Sequence, residues 1–423
     1  MLIAFASLES AMAAPVFILG GYQTDFKRNW AREGLEIMDM FRDTLEGGLA
    51  ATKLDASEIE TAHVGNFTAE LFCNQGHLGG FFAAANPKLA GVPAGRHEGA
   101  CASGSLAILG ATAELEAGRY GLAAVLGIEI MRNVPGDQAA ANIGPAAMWA
   151  GHECKDVRYP WPYMFSELIK EYDKRYGLKH EHLAEIAKVN FANAKRNPNA
   201  QTRNHTFTAL SFAEDDEANP VIEGRIRKQD CGQVSDGAAV IFLANEEKAS
   251  AYARKHGKKL EDIARIEGWG HRTNTIAYEP KIKASEGQTY VFPHVRGAIT
   301  DAFRRAGIGS ADDLSGIETH DCFTPTEYMA IDHFGITAPG QSWQAIEDGV
   351  IAADGRLPIN PSGGLIGLGH PVGATGVRMV LDCAKQVTGT AGGYQVEGAK
   401  RFATLNIGGS TTTTVSFIVG KGH

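Results

Sequence analysis

Residues 360 to 376 read NPSGGLIGLGHPVGATG, a run with six glycines, two prolines and one histidine. Glycine lets a backbone approach a ligand closely and take positive φ, at an entropic cost that is hard to sustain without such a need. From about Val372 onward a helix is expected, because Val377, Val380, Leu381 and Ala384 recur at i, i+3, i+4 and i+7. The loop therefore delivers the His370 imidazole to a defined place. In isolation a GHP tripeptide reads more readily as a turn with a surface histidine, so other stretches must decide.

The second stretch, HEGACASGSLAILGATAELEAG, runs from His97 to Gly118. Small residues crowd around Cys101, and a helix is expected from near Ser103. Cys101 then lies at a helix N-terminus, where unpaired N–H groups and the positive end of the dipole favour an anion. That setting is expected to lower the thiol pKa toward neutrality and make Cys101 a nucleophile, although most free cysteines are inert and buried.

The third stretch is ETHDCFTPTEY, Glu318 to Tyr328. If His320 to Cys322 is extended, imidazole and thiol share one face just past a strand end, where open α/β sheets place ligands. The fourth is Asn406-Ile407-Gly408-Gly409, expected to interrupt the C-terminal strand pair Arg401 to Val419; its two adjacent glycines could present a backbone N–H to a developing oxyanion, and a plain turn explains them equally well. A weak internal repeat links the first two stretches: Cys101 and His370 each precede a helix of small residues that closes on Gly118 or Gly389. Two related α/β halves would set both helix N-termini on a pseudo-twofold and bring Cys101 and His370 together.

The remaining sequence narrows the class. The 423 residues suit two or three domains. A net charge of -9 argues against a nucleic-acid surface, although Arg225, Arg227 and Lys228 form a local basic cluster that could meet a small anion. The six cysteines form no CxxC pair and are expected to be reduced, in a cytoplasmic setting. His152-x-Cys154 and the His180/His182 pair match no four-ligand scheme, so no metal is assigned. Residues 1 to 19 are apolar but lack a basic n-region, with Glu9 inside and Lys27 the first basic residue, so an extended start or an initiator misplaced before Met12 is expected rather than a signal peptide. No other long apolar run points to a membrane span, and Lys421-Gly422-His423 is not a peroxisomal address.

Along the chain, strands are expected at Val16 to Leu19, His63 to Phe67, Ala123 to Ile128, Ala238 to Leu243, Ile263 to Glu267 and Ile317 to Thr319. They alternate with helices at Gly34 to Thr52 and Val295 to Ala306, an α/β pattern. From about Met131 to Lys228 the chain turns aromatic and charged, with helices near Phe165 to Tyr176 and Glu181 to Lys195, which reads as a mostly helical insert.

Taken together, CASGS at 101 to 105, HDCF at 320 to 323, GHPVGATG at 369 to 376 and NIGG at 406 to 409 resemble the thiolase superfamily in order and separation, over essentially the whole chain. The inserted loop domain with its NPNA element and VSDGAAV at 234 to 240 extend the likeness. HDCF stands where most thiolases carry Asn-Glu-Ala-Phe, and Asn406 where they carry a second catalytic cysteine. The chain thus resembles the sterol-carrier-protein type, in which the HDCF cysteine takes that role, and stand-alone bacterial thiolase-like proteins with no sterol-carrier segment after the fold.

The resemblance implies an α/β thiolase fold: two similar halves packed as a five-layered αβαβα sandwich, residues 12–130 with 229–262 and residues 263–423, with residues 131–228 as the inserted loop domain. It implies an acyl-CoA C-acyltransferase with Cys101 as nucleophile and His370 favouring the thiolate. His320 and His370 would hold the enolate oxyanion, Cys322 would move the proton on the enolate carbon, and the N–H groups of Cys101 and Gly408 would hold the tetrahedral oxyanion. Coenzyme A thioesters are the substrates and no cofactor is implied. The partners are a second copy, in a homodimer or homotetramer, or a small OB-fold protein in relatives that act as retro-aldolases. Ketoacyl synthases would have no need of a thiol at Cys322, and a silent acyl-CoA-binding protein no need of all four side chains.

Overall fold

The computed structural model describes residues 14–421; the expectations for the start before Met12 and for Gly422-His423 lie outside them. Nine strands form the main sheet: β1 Val16–Gln23, β2 Thr61–Gly65, β3 Ala94–His97, β4 Leu122–Glu129, β5 Gly237–Ala244, β6 Ala264–Thr273, β7 Gly316–Thr319, β8 Arg401–Gly408 and β9 Thr413–Lys421. Their spatial order is β3-β2-β4-β5-β1-β6-β9-β8-β7. Read outward from the β1/β6 pair, the order β1-β5-β4-β2 mirrors β6-β9-β8-β7. The two halves meet through three residue pairs, Val16 with Ile266, Phe17 with Arg265 and Ile18 with Ala264.

Strands buried on both faces explain the layering. β4 and β5 are buried along their whole length and read as continuous apolar runs, as strands covered by helices on both sides do. Alternate residues of β1, β4 and β5 face α1 (Ile37–Thr52) on one side. On the other they face α2 (Ser103–Glu116). β6, β8 and β9 meet α10 (Thr375–Thr388) on their inner face, in the same cluster as α2. Their outer face packs on helices of the second half, α8 (Pro293–Ala306) and α9 (Thr324–Phe334). The result is helix, sheet, α2 with α10, sheet, helix: a five-layered thiolase fold.

The chain between β4 and β5 is less helical than expected: α3 Gly136–Ala146, α4 Pro160–Tyr176 and α5 His180–Ala194 are followed by mainly irregular chain with a short strand pair, Val221–Glu223 and Ile226–Arg227. After β5 come α6 Glu246–Lys255 and, beyond β6, α7 Tyr278–Ala284.

Two local expectations change. The C-terminal strand is not interrupted at Asn406, because β8 runs through Gly408 and the turn follows it. The helix after the glycine-rich run starts at Thr375, preceded by one wide turn at Gly364–Leu368. Every residue of 357–384 is buried. The glycines there serve contact between backbones: a Cβ on Gly363 would lie 2.8 Å from the Cα of Ala194, and one on Gly373 2.7 Å from the Gly65 carbonyl oxygen.

Candidate active site

Cys101 sits in the single turn Ala100–Ala102 that leads into α2. Ala100 is held at φ 51, a left-handed conformation that an L-residue with a Cβ adopts only when its surroundings require it. α2 can enter here because Gly104 abuts the chain leading into α10: a Cβ on Gly104 would stand 2.8 Å from the Gly373 carbonyl oxygen and 2.9 Å from the Val377 nitrogen. The two helix N-termini thereby converge, and each carries one reactive side chain to the same place.

The Cys101 thiol accepts a hydrogen bond from the Gly409 N–H, yet burial pushes its pKa up, to about 12. This direction is the reverse of the lowering expected from the helix N-terminus. Desolvation of the thiolate outweighs one N–H donor and the turn of helix behind it, so the resting group is a thiol that must lose its proton as it attacks. Gly408 is the last residue of β8, and the next residue, Gly409, lines the cavity beside Cys101.

His320 follows the end of β7. Asn406 determines its tautomer. The Asn406 Oδ1 accepts from Ser105 Oγ at 2.8 Å, and Nδ2 donates to the Cys101 carbonyl at 3.1 Å, which orients the amide. The second Nδ2 hydrogen meets His320 Nδ1 at 3.2 Å, and the Ile407 N–H points at the same nitrogen from 3.4 Å. Nδ1 is therefore an acceptor and Nε2 carries the proton. Burial, with His370 and Arg378 nearby, holds His320 well below its usual pKa, so it stays a neutral Nε2–H donor.

His370 is anchored through its main-chain N–H, which donates to Ser235 Oγ at 2.9 Å. Its Nδ1 lies 2.7 Å from Thr375 Oγ1, and that hydroxyl reaches the Pro371 carbonyl at 3.1 Å. With the Thr375 hydrogen on Pro371, Nδ1 is the donor and Nε2 presents a lone pair; Nε2 is buried without a hydrogen-bond partner. Burial, then Arg378, pulls the His370 pKa down to about 3. Two perpendicular imidazoles, with centroids 5.2 Å apart, thus face Cys101 with opposite hydrogen-bonding character.

Cys322 is also brought in. Cys101, His320, Cys322 and His370 line one cavity of about 550 Å³, closed by apolar side chains such as Phe67, Met131, Trp161 and Phe323. Asp321 points the other way and accepts from the Leu365 N–H at 2.5 Å and from Asn190 at 2.9 Å, as alternation along extended chain requires. Burial, Cys101 and Asp321 together raise the Cys322 thiol well above its usual pKa. Lys228 lines the cavity too, whereas Arg225 is paired with Asp173 at 2.7 Å and Arg227 with Asp216 at 2.8 Å.

Several supporting residues escaped sequence reasoning. Asn406 was visible as a motif residue, but its role depends on Ser105, 301 positions away. Glu129, at the end of an apolar strand, accepts from the N–H groups of Phe67 at 2.9 Å, Thr68 at 3.1 Å and Gly373 at 3.0 Å, tying two strand ends to the histidine loop. An acid closing an apolar run was the one signal it gave.

Ligand atoms of Cys101, His320 and His370 lie within 4.8 Å of one another, the one such trio among the described residues. The trio does not suit a metal: two N–H donors on Nδ1 oblige His320 to keep its Nε2 proton, leaving no lone pair for an ion. His182, read above with His180, contacts Glu347 at 2.9 Å.

Comparison with known proteins identifies the family. A family model for the thiolase N-terminal domain matches residues 16–247, and one described as thiolase C-terminal domain-like matches residues 279–421. An acetyl-CoA acetyltransferase of Methanothermobacter thermautotrophicus is 28% identical over 406 residues, covering 96% of this chain and 99% of that protein. Sterol carrier protein 2 of Rattus norvegicus is 27% identical over 422 residues, covering 97% of this chain and 73% of that protein. Among solved structures, the Ltp2-ChsH2(DUF35) aldolase superposes with a TM-score of 0.76 at 20% identity, covering 97% of this chain and 99% of that one. Human mitochondrial 3-ketoacyl-CoA thiolase does so with a TM-score of 0.66 at 16% identity, covering 97% of this chain and 100% of that one. With both family models matched across nearly its whole length, this chain belongs to the thiolase family.

Proposed function

We propose that the protein is an acyl-CoA C-acyltransferase that makes or cleaves a 3-oxoacyl-CoA through an acyl-Cys101 intermediate. The observation that carries the reading is the convergence of a thiol, an imidazole lone pair and an imidazole N–H within 4.8 Å, with a second thiol on the wall of the same cavity.

In the cleavage direction, His370 Nε2 takes the Cys101 proton as Sγ attacks the keto carbon. The N–H groups of Cys101 and of the Gly408-Gly409 turn receive the tetrahedral oxyanion; one such donor is commonly worth about 3 kcal/mol. The carbon–carbon bond then breaks, the enolate oxygen is held by His320 Nε2–H, and the Cys322 thiol protonates the enolate carbon. An acyl-CoA shortened by the departing acetyl unit forms when CoA, giving its proton to the Cys322 thiolate, attacks the acyl-Cys101 carbonyl. Cys101 leaves and recovers its proton from His370. The high proton affinity of Cys322 suits it to start this cycle as a thiol. CoA thioesters are the substrates and no further cofactor enters.

A second reading rests on the aldolase neighbour: a retro-aldolase acting on a CoA-linked side chain with a small OB-fold partner. Incubation with acetyl-CoA and with acetoacetyl-CoA, followed by intact mass, separates the two. The acyltransferase reading expects an acetyl adduct that disappears in Cys101→Ala, and thiolysis that is lost in Cys322→Ala. No adduct with any short or medium acyl-CoA would sink it and favour the partner-dependent aldolase or a silent acyl-CoA-binding role.

We also infer a homo-oligomer. The β7 edge of the sheet is covered by the segment around Ile359, where Ile317 donates to the Pro358 carbonyl at 3.0 Å and accepts from Asn360 at 2.8 Å. Among the described residues β3 pairs on one side only, with β2, and its residues Ala94 and Gly95 are exposed. An open edge of this kind suits pairing with a second copy.

A further inference from the structure

The turn between β8 and β9 carries the Gly409 N–H that points at Cys101 Sγ, and its backbone is strained. Gly409 has φ 62 and Thr411 φ 65; for a β-branched residue that conformation persists only where the surroundings enforce it. Ser410 and Thr411 are buried, at 3% and 1% exposure, so water does not hold them.

Groups from outside the turn do, among them the Ile276 carbonyl, which accepts from Ser410 Oγ at 3.5 Å and from Thr412 Oγ1 at 3.4 Å. The Asn274 N–H donates to the Thr412 carbonyl at 2.8 Å. His294 Nε2 lies 2.9 Å from the Thr411 carbonyl and 3.1 Å from its hydroxyl. Lys281, on α7 and only 2% exposed, reaches the Ser410 carbonyl, Ser410 Oγ at 2.8 Å and Thr412 Oγ1 at 3.0 Å. Three oxygens around one ammonium match its three N–H donors. Burial lowers the Lys281 pKa to about 7, with Glu153 opposing. Glu153 in turn accepts from the Tyr278 N–H at 2.8 Å and from the Trp149 N–H at 3.0 Å, so it clamps the start of α7 to the segment beside the cavity. Burying a lysine is costly, and nothing in the reaction sequence above uses it.

We propose that Lys281 is a positioning residue: by gripping Ser410 and Thr412 it holds the strained turn so that the Gly409 N–H stays aimed at the Cys101 sulfur and at the oxyanion formed there. The inference rests on the reading of Cys101 as nucleophile, but its test does not require the substrate to be known.

The test compares Lys281→Met and Lys281→Arg with wild type in the full chain. Alkylation of Cys101 by iodoacetamide is followed against pH with the adduct located by mass, and kcat and KM are measured for acetoacetyl-CoA thiolysis. In Lys281→Met the alkylation rate falls about tenfold at every pH below the Cys101 pKa, as the thiolate loses its donor. The same variant loses about 10- to 100-fold in kcat, with KM within about twofold, since a donor of this kind acts on the transition state. Lys281→Arg recovers most of both effects. A folded Lys281→Met with the wild-type alkylation profile and kcat overturns the proposal. If Lys281→Met does not fold, the Ser410→Ala/Thr412→Ala pair, which removes both hydroxyl acceptors, carries the same expectation at about threefold, and an unchanged profile there overturns it as well. A wild-type chain that takes no acyl group while its alkylation profile answers to Lys281 would sink the acyltransferase reading and leave this one standing.

Discussion

Asn406 acts on the site through His320. Its amide is oriented by Ser105 and the Cys101 carbonyl, and its remaining hydrogen makes His320 a donor. Asn406→Ala leaves buried polar groups unpaired, so a loss of about 1–3 kcal/mol in urea unfolding is expected, together with a drop in kcat as His320 becomes free to take the other tautomer. At the neighbouring histidine the expectation concerns pH. The folded-state pKa of His370 is lowered to about 3, below its unfolded value near 6.5. The unfolded chain therefore binds the extra proton first, and this group's contribution to stability is full above pH 6.5 and declines as pH falls toward 3. Measured against His370→Gln, wild-type stability should fall by about 1.4 kcal/mol per pH unit across that window. Taking the difference between the two proteins cancels the opposing drift from Glu129 and Asp321, each raised to about 7 by burial.

At the scale of elements, the site exists because the N-terminal ends of α2 and α10 approach at backbone distance. Gly104 makes room on one side and Gly376 on the other, where a Cβ would fall 2.7 Å from Asn406 Oδ1 and closer still to Ser105. Gly376→Ala pushes α10 from α2 and forces Asn406 from its place. Overpacking of this order costs about 1–3 kcal/mol, and thermal melting with an acetyl-CoA labelling assay should show activity falling further than the stability loss alone explains. The glycine content of residues 360–376 was legible as a demand for close approach. What approached was protein backbone rather than a ligand alone, and no local pattern distinguishes the two.

At the scale of the whole molecule, one sheet edge is covered and the other open. Light scattering is expected to give at least a dimer, and Gly95→Asp, which would face like charges across a seam of paired β3 strands, is expected to weaken association by about tenfold or more. Monomers at micromolar concentration would remove the inferred interface. Among the described residues no helix is long and apolar enough to cross a membrane, and all six cysteines are free.

Short-range pattern alone determined much of this protein. Helical spacing after Cys101 and after His370, apolar runs for the central strands, and alternation through His320-Asp321-Cys322 each depend on residues a few positions apart, and each places its element to within a few residues. Tertiary structure decided the rest. Whether Cys101 rests as a thiol or a thiolate depends on how far the cavity excludes water, a property of walls drawn from several segments, and that term exceeded the helix-end effect that could be read locally. The tautomer of His320 and the anchoring of the Gly409 turn by Lys281 rest on hydrogen bonds between residues 86 or more positions apart. Such contacts leave no periodic trace in a sequence, because distance along the chain says nothing about which buried donors will meet which acceptors.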